Sequence, residues 1–377
     1  MSIELLGMIG THEVSETHAR AGAFVQPEFV RQITQAHEEA GFDKVLVGYG
    51  SSTADGNQVA GYAAAHSERL QFLIAHRPGV VFPTLAARGF ATLDQLSRGR
   101  VNVHIVTGGV NADMRREGDF EDKDARYART DEYITLLRQS WEAEEPFDHE
   151  GAAYHLEGYR SDVRPWQNRS IPVYFGGSSA AAYRVGGAQA DTFMLWGEPL
   201  AETAEQIASV TAAAQTAGRA EPPAFSVSFR PILGATQDEA WTRAHAILDV
   251  IRGSGGGLGA FVSNAALVGG DKPPESVASQ RLLSAAAKGE LHDRALWTPT
   301  AAATNASGNT TALVGTPETV AEAIADYAEL GIRAFLLRGY EPLQDAIDYG
   351  RELLPRTRAA VDARLAASAT ATTGTRS

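Results

Sequence analysis

The densest chemical signal in the chain lies in IPVYFGGSSA, residues Ile171 to Ala180, where a short apolar run ends in Gly176-Gly177-Ser178-Ser179 and opens into an alanine-rich segment. The pattern predicts a strand, a tight turn and a helix start. Glycines let backbone N–H groups approach a ligand, serine hydroxyls add donors and cap the helix, and a helix N-terminus favours an anion, so the corner suits a phosphate. A plain strand-to-helix turn in which Ser178 only caps fits the same residues, so the neighbouring chemistry must decide.

That chemistry is carried by His12, Thr53, His76, His104, Thr107, Tyr127, Trp196, Arg230, Arg338 and Tyr340. The chain has no cysteine, which removes disulfides, thiolate metal sites and a cysteine nucleophile. Reactive chemistry then needs another side chain or a bound cofactor. No His-x-His pair stands at a strand end with matching carboxylates, so no metal is expected.

The elements that must position these residues form a repeat. Short apolar runs at 3–9, 44–48, 70–75, 101–106, 171–176, 192–196, 225–233 and 334–337 alternate with helical spacings, among them Pro27 through Ala40 with Gly41 as its C-cap and Pro83 to Ser97 with proline in its first turn. Eight apolar strands alternating with helices predict a parallel (β/α)8 TIM barrel over residues 1–366, a single domain followed by a disordered tail at 367–377. Three insertions interrupt it. A charged irregular stretch covers about 110–124, a small hairpin about 145–170, and a Gly-, Ser- and Asn-rich excursion about 252–311, expected to carry a helix near 277–287 and a mobile lid before the last helix–strand unit. Function in such a barrel gathers at the C-terminal ends of the strands, where His12, Thr53, His76, Thr107, the Gly-Gly-Ser-Ser corner, Trp196, Arg230, Arg338 and Tyr340 fall.

Composition narrows the class further. With 44% hydrophobic and 21% charged residues the chain is an ordinary globular protein, and its net charge of −13 disfavours nucleic acid and anionic lipid as partners. The N-terminal MSIELLGMIGTHE lacks a basic leader, and no apolar run approaches the roughly 20 residues of a membrane span, so a cytoplasmic protein without a membrane partner is expected.

Several runs together resemble the bacterial-luciferase-like flavin monooxygenases, and within them the alkanesulfonate monooxygenase branch. They are RPGVVFPTLAARGFATLDQLSRGRVNVHIVTGG at 77–109, ARYART at 125–130, VYFGGSS at 173–179, LWGEP at 195–199, QDEAW at 237–241, TALVGTPETVAEAI at 311–324 and RGYEPLQDA at 338–346. The resemblance implies a barrel enzyme, a homodimer or homotetramer, that receives reduced FMN from a separate NAD(P)H-dependent flavin reductase. It would use O2 to oxygenate a small, organosulfur (alkanesulfonate-like) compound through a flavin peroxide. It assigns Gly177, Ser178, Ser179 and Tyr127 to the FMN phosphate, and Thr107, with His76 and His104, to the cofactor side. It places His12, Thr53, Trp196, Arg230 and Tyr340 in the catalytic pocket, Tyr340 near proton transfer.

The chain departs from that branch where substrate is read. Thr53 replaces a cysteine, Ser228-Phe229-Arg230 replaces an Arg-x-His pair, His104 replaces an asparagine, and an arginine before TALVG gives way to Asn305, Ala306 or Ser307. Arg230, with Arg77 or Arg338, would suit an anionic substrate, and Arg230 fits a rim position equally well. A deazaflavin-dependent reductase or dehydrogenase on the same barrel, and a non-catalytic flavin-binding protein, are the alternative readings.

Overall fold

The structure is a computed structural model that describes residues 3–256 and 273–374. Its barrel strands are β1 (Glu4–Ile9), β2 (Lys44–Val47), β3 (Gln71–His76), β4 (Val101–Ile105), β7 (Val173–Gly176), β8 (Thr192–Trp196), β9 (Ala224–Leu233) and β13 (Ala334–Leu337). They are hydrogen-bonded in the order β9-β13-β1-β2-β3-β4-β7-β8, with β8 pairing again to β9, the strand order of a closed (β/α)8 barrel. All eight coincide with the apolar runs read from sequence. The Gly-Gly-Ser-Ser corner follows β7, the fifth of them.

The residues divide into two compact units. The first comprises 1–44, 195–207 and 225–377. Within it β13 pairs in parallel with β1 on one side and with the first half of β9 on the other. At Arg230 strand β9 changes partner: Phe229 is opposite Leu337 of β13, whereas Arg230 is opposite Ala312 of β12 (Ala312–Gly315). Sequence reading missed four-residue β12 and the two-residue antiparallel strands β10 (Leu291–His292) and β11 (Leu296–Trp297) beside it, because strands this short carry no periodicity.

Helix α1 (Pro27–Ala40) shows why this unit packs as it does. Proline opens it, Gly41 at φ 85° ends it with its N–H on the carbonyls of Glu38 and His37, and Phe29, Val30, Ile33, Thr34 and His37 form its buried face. Gly7 of β1 lets that face come close, since a Cβ there would stand 2.1 Å from His37 Cδ2.

The second unit comprises 45–194 and 208–224. Strands β3, β4, β7 and β8 run parallel in it, and β5 (Phe147–Glu150) with β6 (His155–Tyr159) form the expected hairpin as a separate two-stranded sheet. The stretch expected to be irregular contains helix α4 (Asn111–Arg116) and leads into α5 (Lys123–Glu142), while α6 (Ala180–Gln189) follows β7. The remaining helices are α2 (Gly56–Ala64), α3 (Pro83–Ser97), α7 (Leu200–Thr216), α8 (Gln237–Gly253), α9 (Val277–Lys288), α10 (Pro299–Ala303), α11 (Pro317–Glu329), α12 (Pro342–Asp348) and α13 (Leu354–Gly374). The helix expected near 277–287 is α9. The Gly-rich heart of the expected lid, 257–272, lies outside the described residues, and among those described no helix is long and apolar enough to cross a membrane.

Burial brings the His37 imidazole down to about 4 from its ordinary 6.5, although its Nδ1 donates to the Ile33 carbonyl at 2.7 Å, which favours the charged form. The unfolded chain therefore binds more protons between those values, and stability falls as pH is lowered through that window. Each such histidine costs at most about 1.4 kcal/mol per pH unit. Urea unfolding from pH 6.5 to 4.5 should show a steep acid loss that His37→Leu makes shallower by close to one proton; an unchanged slope would place the imidazole in contact with water.

Candidate functional site

In the second unit, apolar β7 delivers the chain to Gly177, whose φ of 146° is a conformation that side-chain-bearing residues rarely adopt. A Cβ there would stand 2.7 Å from Ala182 Cβ and 3.3 Å from the Tyr127 hydroxyl, so the position requires glycine twice over. Ser179 is the N-cap of α6, its Oγ accepting from the Ala182 N–H at 3.2 Å, and Ser178, half-buried, precedes it. Ser179 Oγ also lies 3.5 Å from the hydroxyl of Tyr127, a buried residue of α5. Burial raises that phenol, so it stays protonated at neutral pH. Hydroxyls, a glycine backbone and a helix N-terminus thus converge where a dianion would be stabilised.

The neighbouring strand ends add two uncharged histidines. Tyr133 donates its hydroxyl proton to the Val81 carbonyl at 3.0 Å, so its oxygen accepts from His76 Nε2–H at 2.7 Å and leaves His76 Nδ1 as the acceptor. On β4, His104 Nδ1 is sealed from solvent and finds no partner among the described residues. Burial brings both imidazoles down to about 4. Thr107, just beyond β4, donates to Thr130 Oγ1 at 3.3 Å, and Thr130 in turn donates to the Arg126 carbonyl, tying the loop to α5. Thr53 is exposed, its hydroxyl closing a turn with Gly50 rather than joining these groups.

One arginine after β3 was open to anion recognition from sequence. Arg77 is buried, donates to Asp113 at 2.6 Å and to Glu117, and stacks over the Tyr49 ring at 4.7 Å. Ser51 and Tyr49 donate to the same two carboxylates, so one guanidinium fastens α4 to the loops after β2 and β3.

The first unit holds the remaining candidates. His12 is 5% exposed, and its Nδ1–H donates to the Phe24 carbonyl at 2.7 Å, so Nε2 carries the lone pair; that atom is sealed and has no partner among the described residues. Arg230, 1% exposed, meets Glu16 with both terminal nitrogens at 2.8 Å and donates further to the carbonyls of Arg338 and Gly339. Arg338 reaches the same Glu16 oxygen at 2.7 Å. Burial opposes charge on Glu16, but Arg230 and then Arg338 hold its carboxyl far below the usual range. Arg338 is brought down to about 10, first by burial and then by the like charge of Arg230. Sequence reading missed Glu16 altogether.

Tyr340 lies under this pair, its ring centroid 3.9 Å from the Arg230 guanidinium carbon. Its hydroxyl is buried near Thr300 with no hydrogen bond of normal geometry, and burial raises its pKa. Thr17 donates to the Tyr340 carbonyl at 3.1 Å, fastening the loop after β1 to the loop after β13. Trp196, half-buried at the end of β8, packs against Leu282, Ala301 and Ala306.

A family model described as luciferase-like monooxygenase matches residues 4–334. A riboflavin lyase solved with modified FMN and riboflavin is 22% identical with a TM-score of 0.73, covering 94% of this chain and 91% of that one. The EDTA monooxygenase of Chelativorans sp. BNC1 is 16% identical with a TM-score of 0.73, covering 95% and 94%. An F420-dependent secondary alcohol dehydrogenase in complex with an F420-acetone adduct is 19% identical with a TM-score of 0.68, covering 95% and 100%. At these identities the likeness is one of fold.

Replacing Glu16 by glutamine leaves the buried Arg230 and the half-buried Arg338 without their carboxylate. Glu16→Gln should lose roughly 3 to 5 kcal/mol in equilibrium unfolding, whereas a surface ion pair such as Arg351–Glu352, cut by Glu352→Gln, should lose under about 1 kcal/mol. Equal small losses would contradict the burial of the Glu16 pair.

Proposed function

The chain belongs to the luciferase-like monooxygenase family, and from that premise we propose that this enzyme is a two-component monooxygenase that uses reduced FMN and O2 to oxygenate a small organic compound of organosulfur type. The observation that carries the cofactor assignment is the corner at Gly177, Ser179 and Tyr127, where a backbone that only glycine fits, a capped helix start and a buried phenol suit a phosphate. Tyr127, Gly177, Ser178 and Ser179 would hold the FMN phosphate, and Thr107, His76 and His104 would line the rest of the cofactor. Reduced FMN, when bound, supplies the electrons that activate O2.

The protein residues contribute order and proton placement. His76 and His104 are held neutral, which keeps charge away from an electron-rich ring, and His76 offers a lone pair at Nδ1. Tyr340 remains a protonated phenol at neutral pH, able to donate at its hydroxyl, and the Arg230 cation over its ring face steadies its orientation. Trp196 offers an apolar wall, and Thr53 a hydroxyl at a loop edge. A separate NAD(P)H-dependent flavin reductase in the cytoplasm would supply the cofactor, and the working form would be a homodimer or homotetramer. The organosulfur class rests on the sequence resemblance.

Anaerobic titration with reduced FMN tests the reading. Native protein should bind it, and Ser179→Ala or Tyr127→Phe should weaken binding about tenfold, the value of one hydrogen bond to a charged group. Unchanged affinity in both variants, or binding of F420 in preference to FMN, would turn the assignment to another cofactor.

A further inference from the structure

Each arginine that the sequence offers for anion recognition is already matched by a carboxylate of the chain itself. Arg77 is held by Asp113 and Glu117, and Arg230 and Arg338 share Glu16. The Glu16–Arg230 contact has the fork geometry by which a guanidinium receives a bound carboxylate or sulfonate, with both of its nitrogens 2.8 Å from the two oxygens. Two further donations, to the carbonyls of Arg338 and Gly339, leave Arg230 little capacity for a second acceptor.

Two polar side chains of the same unit keep an unsatisfied atom. His12 Nε2 is a buried lone pair, its tautomer fixed by the Phe24 carbonyl, and the Tyr340 hydroxyl is a buried phenol; neither has a hydrogen bond of normal geometry among the described residues. The two side chains stand in the loops that follow the paired strands β1 and β13. A sealed acceptor and a sealed hydroxyl cost free energy until a bound molecule supplies their partners.

We propose that Glu16 is a specificity-determining residue that occupies the arginine fork as an internal anion, so that the enzyme takes a substrate whose head group is neutral and carries both an N–H or O–H donor, for His12 Nε2, and an acceptor oxygen, for the Tyr340 hydroxyl. Amide-type groups, carboxamide or sulfonamide, meet that description, and a sulfonate does not. An anionic head group would face Glu16 across the same guanidinium and would offer His12 no proton. The inference rests on the monooxygenase reading only for the word substrate; the binding preference stands apart from it.

The test compares a primary alkanesulfonamide with the alkanesulfonate of the same chain length, by calorimetry on the native protein with and without FMN. FMN affinity is titrated separately, so failure of the cofactor reading shows in that titration and not in the ligand ratio. The sulfonamide should bind at least about tenfold more tightly, a difference of one buried hydrogen bond. Glu16→Gln should narrow or invert the ratio, and the sulfonate should raise the melting temperature of that variant more than that of the native protein. His12→Phe, which keeps the arginine fork filled, should weaken the sulfonamide and leave the sulfonate unchanged, and it serves if Glu16→Gln does not fold. Tighter or equal binding of the sulfonate, binding of neither ligand, or a ratio indifferent to both variants would overturn the proposal.

Discussion

A guanidinium and a carboxylate cannot be buried together unless they meet, and in the first unit buried Arg230 and Glu16 do so, with half-buried Arg338 reaching the same carboxylate. Glu16 comes from the loop after β1, Arg230 from β9 where that strand exchanges β13 for β12, and Arg338 from the loop after β13. In a medium of low dielectric an unpaired member would be costly, so the ion pairs tie those loops to one another. Tyr340 inherits its place from that constraint. It lies on the Arg230 guanidinium, its carbonyl takes the Thr17 hydroxyl, and its backbone N–H is held by Asp345 at 2.7 Å.

The second unit solves a different problem with the same means. A phosphate is a bulky dianion, and under the proposed reading the chain would meet it with backbone geometry and dipoles at Gly177 and α6 rather than with lysines. The charges it does bury, Arg77 with Asp113 and Glu117, serve to hold α4 against the strand-end loops. The buried Arg77 and Arg230 are internally paired, and the buried His76 and His104 are held uncharged. Activated oxygen chemistry on a flavin favours such a setting, because stray charge would shift the ring electronics and admit water.

How much of this was legible in the sequence follows from how far apart the partners lie. The eight barrel strands were readable because a strand buried on both faces is a continuous apolar run, as in Phe72 through Ala75 of β3. The strand–turn–helix corner was readable because its glycines, serines and helix start are contiguous, whereas Tyr127 beside it entered only through the family resemblance. Glu16 was not readable: its partner Arg230 is 214 positions away, and no spacing rule links a loop carboxylate to a strand arginine at that distance. Helix α4 was hidden because its six residues carry no apolar stripe and are fastened by charge. The hydrogen bond that orients the His12 ring goes to the Phe24 carbonyl, twelve positions away, which composition and periodicity do not reveal.

The account turns on whether Glu16 and Arg230 stabilise the protein as a unit. A double-mutant cycle measures this directly, with Glu16→Gln, Arg230→Met and the combined variant compared by equilibrium unfolding. Removing both charges should be far less damaging than the sum of the single losses, with a coupling of about 3 kcal/mol. Additive losses, with a coupling below about 0.5 kcal/mol, would show that the two side chains act independently and would contradict the account.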